Sequence, residues 1–578
     1  MPARGGSVHV VTTRRHYKDK VYETTLLRRS FREGGKVKTQ TVGNLSHLPP
    51  EAIAAIRQVL KGQTLVTASS HAEVGRSLPH GHVALVWQLA RQLGLPALLG
   101  EAGRQRDLAM ALVVARVLRP ASKLATTRWW HDTTLAHDLG VAGASTDEVY
   151  AAMDWLGGRQ GRIERTLARR HLEPGGLALF DLSSSYVEGH HCQLAARGYS
   201  RDQKVGKDQV EYGLLTDPDG RPVAVEVLAG NTADPTAFTS MVERVRDRFG
   251  LTELVLVGDR GMITSARVEA LRRLGGMGWI TCLRAAQIKA LATDGPLQLS
   301  LFDEHNLAEI THPDFPGERL VCCRNPALAA ERARKRTELL RATEAELGKV
   351  TRLVEGGKLR GAAKVGVRVG KVLGKFKVAK HFDLQITDTS FGYARRADQI
   401  AAEAALDGIY VVRTSVTAAK LDTAGVVEAY KRLAGVERDF RSLKAIDLEL
   451  RPIHHRLADR VRAHVLVCML ACYLVWHLRR ALAPLCFTDQ APPKRTDPVA
   501  PAQRSADAAA KASRRQLPDG TPTHSFRTLL EHLATLTRNQ VHFAEQPRPL
   551  TAELLAAPST VQRRAFELVG APIPLTLK

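Results

Sequence analysis

The fold of this chain is decided by the stretch Leu-Ala-Leu-Phe-Asp-Leu at residues 177–182, in which one carboxylate interrupts an apolar run. A second run, Leu-Val-Leu-Val at 254–257, continues into Gly258 and Asp259. Short apolar runs bounded by turn residues are typical of buried strands. A carboxylate on such a strand is costly unless it is paired or binds a metal ion. Asp181 and Asp259 are therefore candidate site residues on one predicted α/β sheet.

Both aspartates have an ordinary alternative. Asp181 can serve as a turn residue before Ser183, and Asp259 can be a loop residue that pairs with Arg260. Their joint placement, each in the middle or at the carboxyl end of a separate strand, favours one shared site, because α/β sheets usually build their sites there. Arg260 keeps two interpretations: it contacts a phosphate, or it orients the Asp259 carboxylate.

A third carboxylate, Glu437, lies on a basic helix predicted over 423–445. At 3.6 residues per turn, Tyr430, Glu437 and Lys444 form one stripe, and Arg441 belongs to the same face. The stripe predicts one metal-binding acid flanked by cations that contact phosphates. Taken alone, Glu437 is better interpreted as a helix-surface acid. Its position on the first helix after the last predicted strand favours a site shared with the two aspartates.

Composition narrows the class of protein. The chain has 578 residues, 44% hydrophobic and 25% charged, as expected for a globular protein of more than one domain. Its formal net charge of +24 indicates a polyanionic partner, most simply nucleic acid, although ribosomal proteins and membrane-surface binders share this trait. The N-terminus lacks the apolar core of a secretory signal, and the apolar run 465–476 is too short to span a bilayer.

The seven cysteines include no C-x-x-C pair, which argues against a zinc ribbon and a disulfide framework. We therefore expect a cytoplasmic protein with reduced thiols and no membrane partner.

Changes in periodicity divide the chain into segments. Alternating residues at 7–43 predict strands with a turn at Gly34-Gly35, and helical periodicity starts near residue 80, with a capping box at Ser145 and Glu148. The predicted segments are a basic β-rich module at 1–70, a helical region at 80–172, a catalytic core at 173–285 and 406–485, an insertion at 286–405, a linker at 486–524 and a helical tail at 525–578.

The insertion contains a strongly basic stretch at 357–382, with eight Lys or Arg and no acid. Several of these residues alternate with Val and Gly, as at 365–369, which predicts strand-like structure. One interpretation is a solvated edge hairpin whose lysines discourage aggregation. The lack of a balancing acid favours a surface that follows DNA phosphates. The candidate DNA-binding residues in this stretch are Lys364, Arg368, Lys371 and Lys375.

Together these features resemble the DDE transposases of bacterial insertion sequences, specifically the insertion-sequence-four superfamily. The matching segments are Leu-Phe-Asp-Leu-Ser-Ser-Ser-Tyr (179–186), Gly-Tyr-Ser-Arg-Asp (198–202), Ala-Gly-Asn-Thr-Ala-Asp (229–234), Val-Gly-Asp-Arg-Gly-Met (257–262) and the stretch from Tyr430 to Lys444. The family's third-acid motif is Tyr, two residues, Arg, three residues, Glu, six residues and Lys. Tyr430, Glu437 and Lys444 fit this motif, whereas the Arg position holds Leu433, next to Arg432.

The resemblance implies an RNase H-like mixed α/β core with Asp181 on the first strand, Asp259 after the fourth and Glu437 on a late helix. It also implies a β-rich insertion between the second and third acids, a place that 286–405 occupies. The implied activity is DNA transposition and recombination by a homodimeric synaptic complex, which acts on terminal inverted repeats and target DNA. The N-terminal module and the helical region are the segments expected to recognise the element's ends in the bacterial nucleoid.

The residues suit this chemistry independently of the resemblance. Two Mg²⁺ ions (or Mn²⁺ as a substitute) held by Asp181, Asp259 and Glu437 can activate a water or a 3′-hydroxyl and stabilise the departing oxygen at phosphorus. Two rival interpretations are an RNase H-like nuclease that cuts without joining and an inactive DNA-binding relic, and the presence of all three acids argues against the second. Asn231 and Asp234 are expected to cap the helix that starts at 235.

Overall fold

The computed structural model describes residues 7–18, 20–33, 35–63, 72–293, 297, 302–303, 306–493, 497–543 and 550–577. Contacts divide the chain into two units. Unit 1 comprises Met1–Ser77 and Arg538–Ala556, and unit 2 comprises Leu78–Thr537 and Ala557–Lys578.

Unit 1 begins with an antiparallel meander, as the alternation of apolar and polar residues predicts. Its elements are β1 (Ser7–Tyr17), β2 (Lys20–Glu33) and β3 (Lys36–Asn44), followed by α1 (Pro50–Leu60). The strand order is β1-β2-β3, with Val10 opposite Leu27. Gly34 of the predicted turn lies outside the described residues, and Gly35 has a φ of 78°, a conformation that glycine adopts without strain.

A second sheet of unit 1 brings together strands from both ends of the chain. Its elements are β4 (Ala72–Pro79), β15 (Thr537–Phe543) and β16 (Leu550–Leu555), in the order β16-β15-β4. The prediction of a helical tail at 525–578 is therefore wrong for its middle part, which lies between α19 (Phe526–Ala534) and α20 (Thr560–Val569). The strand β15 obtains its neighbour β4 from the opposite end of the sequence, a pairing that local periodicity does not report.

Helices fill residues 81–171 of unit 2, in agreement with their periodicity. They are α2 (Gly81–Gln92), α3 (Leu95–Leu99), α4 (Arg104–Leu118), α5 (Lys123–Trp130), α6 (Thr134–Leu139), α7 (Thr146–Gly157) and α8 (Gln160–His171). The predicted capping box is confirmed: Ser145 Oγ accepts a hydrogen bond from the Glu148 N–H, and the Glu148 carboxylate accepts one from the Ser145 N–H.

The central helix of unit 2 is α17 (Ala458–Ala481), which contacts both α4 and α7. Among the described residues it is the one helix long and apolar enough to cross a membrane, yet 83% of its most apolar window is buried inside the fold. The apolar run 465–476 thus belongs to a core helix, as its length predicts.

A mixed sheet forms the core of unit 2 and confirms the predicted mixed α/β fold. Its strands are β5 (Leu177–Tyr186), β6 (Gln209–Thr216), β7 (Pro222–Ala229), β8 (Leu254–Val257), β9 (Met277–Cys282), β10 (Leu307–Ile310), β11 (Arg319–Arg324) and β14 (Ile409–Thr414). Their order is β10-β11-β14-β9-β8-β5-β6-β7. The strands β5, β6 and β7 pair antiparallel, whereas β5, β8 and β9 run parallel. The intervening helices are α9 (Asp234–Glu243), α10 (Ser265–Leu274) and α11 (Ala285–Thr293).

The insertion is more helical than predicted. After β11 it forms α12 (Pro326–Glu355), α13 (Ala362–Phe376), β12 (Phe382–Ile386), β13 (Phe391–Arg395) and α14 (Ala397–Ala404). The prediction of strand-like structure at 365–369 is wrong, and a β-rich insertion is wrong for 326–376. Val365, Val369 and Leu373 recur every four residues and are buried in one cluster with α12. Because this helical period buries an apolar face, it prevails over the local Val/Gly alternation.

After β14 the chain forms α15 (Thr423–Lys431), α16 (Leu433–Arg441), a π-helical turn at Ser442–Ile446 and then α17. The predicted linker at 486–524 contains α18 (Ala506–Arg514), and its ends meet at a bridge between Cys486 and His524. The described part of this segment therefore contains a helix and has paired ends, whereas the sequence predicts a linker.

Candidate active site

Two adjacent parallel strands position the first two acids. The strands β5 and β8 pair with Leu179 opposite Val257. Asp181 and Asp259 each follow a member of that pair by two residues, so both lie at the same edge of the β5–β8 pairing. Asp181 is half-buried within β5, and Asp259 is exposed in the loop after β8.

The third acid comes from a helix that packs on the first strand. Glu437 is exposed on α16, which contacts β5. The buried face of α16 carries Val436 and Phe440, and the Phe440 ring meets Tyr212 of β6 edge-on at 5.8 Å. This apolar contact fixes the helix over the sheet and leaves Glu437 on the side that faces away from the core.

The three carboxylates share one electrostatic environment. Burial raises the pKa of Asp181 to about 7, and the charges of Asp259 and Glu437 act in the same direction. The Leu182 N–H, which donates to Asp181 Oδ1 at 2.8 Å, and the Arg201 guanidinium oppose this shift. Like charges raise the pKa of a carboxyl only when they lie nearby. The fold therefore brings the three predicted acids together.

Their chemistry fits a divalent cation. Carboxylate oxygens are the ligands that Mg²⁺ and Mn²⁺ prefer, and a cation would offset both the burial that raises the pKa of Asp181 and the smaller repulsion from its neighbours. Backbone N–H groups of Gly261 and Met262 donate to Asp259 Oδ1 at 2.8 and 2.9 Å and so orient that carboxylate. Among the described residues no three acidic, His or Cys side chains are placed closely enough to hold one metal ion as they stand. The three candidate acids lie in one region of the fold, but they do not form a complete coordination sphere.

Arg201, to which the sequence assigns no role, lies between two further acids, Asp234 and Glu211. Arg201 donates to Asp234 Oδ1 at 2.6 Å and to Glu211 Oε1 at 3.3 Å. The prediction that Asp234 caps a helix is wrong: α9 starts at Asp234 itself, and its cap residue, Ala233, makes no side-chain bond. The neighbouring Asn231 does not occupy the cap position either. Asp234 instead pairs with Arg201.

This ion-pair network reaches the candidate metal ligands. A side-chain carbon built at Gly261 would lie 3.2 Å from Asp259 Oδ1 and 3.5 Å from Asp234 Oδ2, so the two carboxylates approach each other across this glycine. Burial raises the pKa of Glu211 to about 7, while Arg201 lowers it. The signal that could have identified Arg201 is its place in the Gly-Tyr-Ser-Arg-Asp segment, since an Arg beside an acid in a family motif is a candidate ion-pair partner.

The predicted stripe on 423–445 is broken. The helix ends at Lys431, a turn at Arg432 separates α15 from α16, and the last turn widens into a π-helix. Tyr430 is half-buried beside Cys282, and burial raises the pKa of its hydroxyl. The contact of Tyr430 with DNA stays a prediction. Leu433 is buried, and Arg432 is exposed.

Lys444 is paired within the fold. Its ammonium donates to Asp202 Oδ1 at 2.9 Å, the Arg451 guanidinium donates to the same oxygen at 2.6 Å, and Lys444 is only 8% exposed. This buried ion pair occupies the charge of Lys444 in the structure, and its contact with DNA stays a prediction. Its position holds Asp202, the neighbour of Arg201, in place.

The remaining predicted DNA contacts are exposed. Arg260 follows Asp259 in its loop, and Arg441 ends α16. Four cations are exposed along one face of α13, at intervals of four, three and four residues: Lys364, Arg368, Lys371 and Lys375. They belong to a helical hairpin with its own apolar core, separate from the sheet that carries the three acids.

Known proteins show similarity in both units. Residues 10–72 match the N-terminal domain of the IS1634 family transposase, and residues 174–475, slightly more than half of the chain, match the transposase DDE domain. A solved piggyBac transposase synaptic complex with hairpin DNA shares 9% identity, covering 78% of this chain and 76% of that chain at a TM-score of 0.32. No curated protein matches the chain.

Proposed function

Because this chain belongs to the DDE transposases and is of the IS1634 type, we propose that it cuts DNA at the ends of an insertion sequence and joins those ends to target DNA in a metal-dependent reaction. The observation that carries the proposal is the placement of Asp181, Asp259 and Glu437 by the paired strands β5 and β8 and by α16, which packs on β5.

An RNase H-like core is part of this proposal. Asp181 lies on β5, the first strand of the core, Asp259 follows β8, the fourth, and Glu437 lies on the late helix α16. This is the order of acids that the resemblance implies. The strand arrangement, with an antiparallel β5-β6-β7 meander beside the parallel β8 and β9, supports the same assignment.

The three carboxylates are the proposed ligands of Mg²⁺, for which Mn²⁺ would substitute. Bound ions would activate the attacking water or 3′-hydroxyl and stabilise the departing oxygen. The Leu182 N–H and the loop amides after Asp259 hold two carboxylates in fixed orientations before any ion binds. Arg201 keeps Asp234 and Glu211 paired, which limits the negative charge around Asp181.

DNA is the partner of this family, and we propose four surfaces for it. The first surface is formed by Arg260 and Arg441 beside the carboxylates, and the second is the cationic face of α13, which follows phosphates. The third is the β1-β2-β3 module and the fourth is the set of helices at 81–171; both recognise the terminal inverted repeats. A homodimer would hold two ends in one synaptic complex. The enzyme would act at the nucleoid in the bacterial cytoplasm.

The test is an excision-and-integration assay with Mg²⁺ on a plasmid that carries the DNA flanking this gene. Glu437→Gln removes one ligand charge, and Glu428→Gln on α15 is the matched control, because Glu428 is an exposed acid of the adjacent helix. We expect activity in the wild type and in Glu428→Gln, and none in Glu437→Gln, with DNA binding retained in all three.

Equal activity in all three proteins would overturn the site assignment. Cleavage of DNA without the element's ends, and without joining, would favour a nuclease. Binding without cleavage by the wild type would favour an inactive relic.

A further inference from the structure

A second cluster of like charge lies outside the candidate active site. It lines a cavity of about 270 Å³ where α4, the start of α5 and α17 meet the segment before α17. The cations are Arg116, Lys123 and Arg451, accompanied by the imidazoles of His455 and His464. Arg116 and Lys123 are only 6% and 5% exposed. Buried cations are rare in proteins unless they are paired.

Within the described part of the chain, the two buried cations contact neutral groups. Lys123 Nζ contacts His464 Nδ1 at 3.1 Å, and Arg116 donates to the backbone oxygens of Ala121 and Leu448. Among the described residues no ion pair joins Lys123 or Arg116 to a carboxylate. Glu449 is the one acid in the cavity lining, and it is exposed. The protein therefore supplies several positive groups here and no buried negative one.

The consequence appears in the ionisation of the cluster. Burial, and then the Arg116 charge, lower the pKa of Lys123 to about 7. Burial, followed by the charges of Lys123 and Arg116, lowers the pKa of His455 to about 3 and that of His464 well below its usual value. An anion in the cavity would reverse the first shift, because an opposite charge stabilises the ammonium.

We propose that this cavity binds a phosphate group, supplied either by the DNA backbone beside the cleavage site or by a free phosphate compound. Arg116 and Lys123 would provide the charge, and the amino end of α5 would add its partial positive charge, since Ala121 and Ser122 also line the cavity. The volume admits a phosphate with its sugar but little more.

The cavity is linked to the candidate active site. Arg451 lines it and also donates to Asp202, whose neighbour Arg201 pairs with Asp234 and acts on Asp181. Arg451 therefore connects the cavity with the ion pairs beside the three carboxylates, and under the proposed function the DNA backbone is the source of phosphate there. Only this choice of DNA as the source rests on the proposed function; the phosphate chemistry does not.

The first arm of the test uses inorganic phosphate without metal or DNA. The midpoint of thermal unfolding is measured for the full chain in phosphate and in chloride of equal ionic strength. We expect phosphate to raise the midpoint by about 2 °C more in the wild type than in Lys123→Met. Lys289→Met, which alters an exposed lysine on α11, is the control for general salt effects and should behave like the wild type.

The second arm identifies the source. End DNA is prepared with single neutral methylphosphonate linkages near the cleavage site, and binding is measured by fluorescence anisotropy in the absence of Mg²⁺. If the cavity holds a backbone phosphate, one linkage weakens binding about tenfold in the wild type and has little further effect in Lys123→Met. If it holds free phosphate only, the thermal response remains and no linkage depends on Lys123.

The proposal is overturned if Lys123→Met responds like the wild type in both arms. The unfolding midpoint of Lys123→Met in chloride shows whether the variant is folded, and Lys123→Arg, which keeps a cation, should regain the phosphate response. Because neither arm requires cleavage, an inactive enzyme that binds phosphate here would refute the proposed function and leave this site standing.

Discussion

The carboxylates around Asp181 and the cations around Lys123 are opposite versions of one arrangement within unit 2. In the first cluster, burial and two neighbouring acids raise the pKa of a carboxyl to about 7. In the second, burial and a neighbouring guanidinium lower the pKa of an ammonium to the same range. Among the described residues, each cluster gathers groups mostly of one sign, with only partial compensation by opposite charges. The difference in sign indicates what each lacks: a cation in one case and an anion in the other.

The two clusters also differ in what the surrounding protein contributes. The carboxylates have a partial internal counter-charge, because Arg201 pairs with Asp234 and Glu211 beside them. Lys123 has a neutral imidazole and no carboxylate among the described residues. Substitutions that remove charge should therefore impair catalysis in the first cluster and stabilise the ligand-free protein in the second.

The largest expected effect comes from removing one charge of the carboxylate cluster. Asp181→Asn should lower excision by about 10⁴-fold, as for residues that act as a unit in catalysis. Its unfolding midpoint in metal-free buffer at pH 8 should be unchanged or higher, because the repulsion among three acids is reduced. Excision assays and calorimetry measure the two effects. Activity within tenfold of the wild type would show that Asp181 is not a ligand.

The next prediction tests the ion pairs of Arg201 with the acids beside the carboxylate cluster. Arg201→Met should lower the free energy of unfolding by about 3–5 kcal/mol, because it leaves the buried Glu211 carboxylate without its cation. Arg201→Met combined with Glu211→Gln should recover most of that loss. Urea denaturation measures both. The control is Arg197→Met, whose exposed pair with Asp208 should contribute no more than about 1 kcal/mol.

A smaller effect is expected where cations are exposed and screened by water. Neutralising Lys364 and Lys371 together to Gln should weaken DNA binding about tenfold at low salt and reduce the slope of log affinity against log salt by about 2. The matched control neutralises Lys335 and Lys349 on α12, which already pair with Glu331 and Glu346. An equal change in both double variants would indicate general charge attraction rather than a phosphate-binding face.

The smallest effect concerns the pH dependence of stability. Between pH 7 and 10.5 the unfolded chain keeps a proton on Lys123 that the folded chain has released, so wild-type stability should rise with pH over this range. Lys123→Met lacks this group and should be more stable than the wild type by a few degrees near pH 7, with the difference shrinking towards pH 9.5. Calorimetry across this range in chloride measures it. A constant difference would mean that Lys123 is charged in the folded protein throughout.

Much of the framework around the carboxylates was predictable from sequence. The runs at 177–182 and 254–257 lie in buried strands, as apolar runs of that length indicate. These elements were accessible because each is long enough to reveal its own period and is bounded by turn residues.

The long helix at 423–445 shows where this reasoning fails. Its period is continuous in the sequence, yet α15 contacts β9 and β14 while α16 contacts β5. The two halves pack on different strands, and the helix is interrupted at Arg432 between them. The same packing places Tyr430 beside Cys282 and Lys444 beside Asp202, and the local sequence period does not predict these contacts.

By itself, the sequence determined the acids on their strands, the basic character of the chain and its resemblance to the DDE transposases, because periodicity and short motifs are local properties. Only folding brings Arg201 between Asp234 and Glu211, and places Lys123 against His464 in a cavity whose one lining acid, Glu449, is exposed. These groups lie far apart along the chain, and their ionisation depends on burial and on neighbours that folding alone brings within a few ångströms.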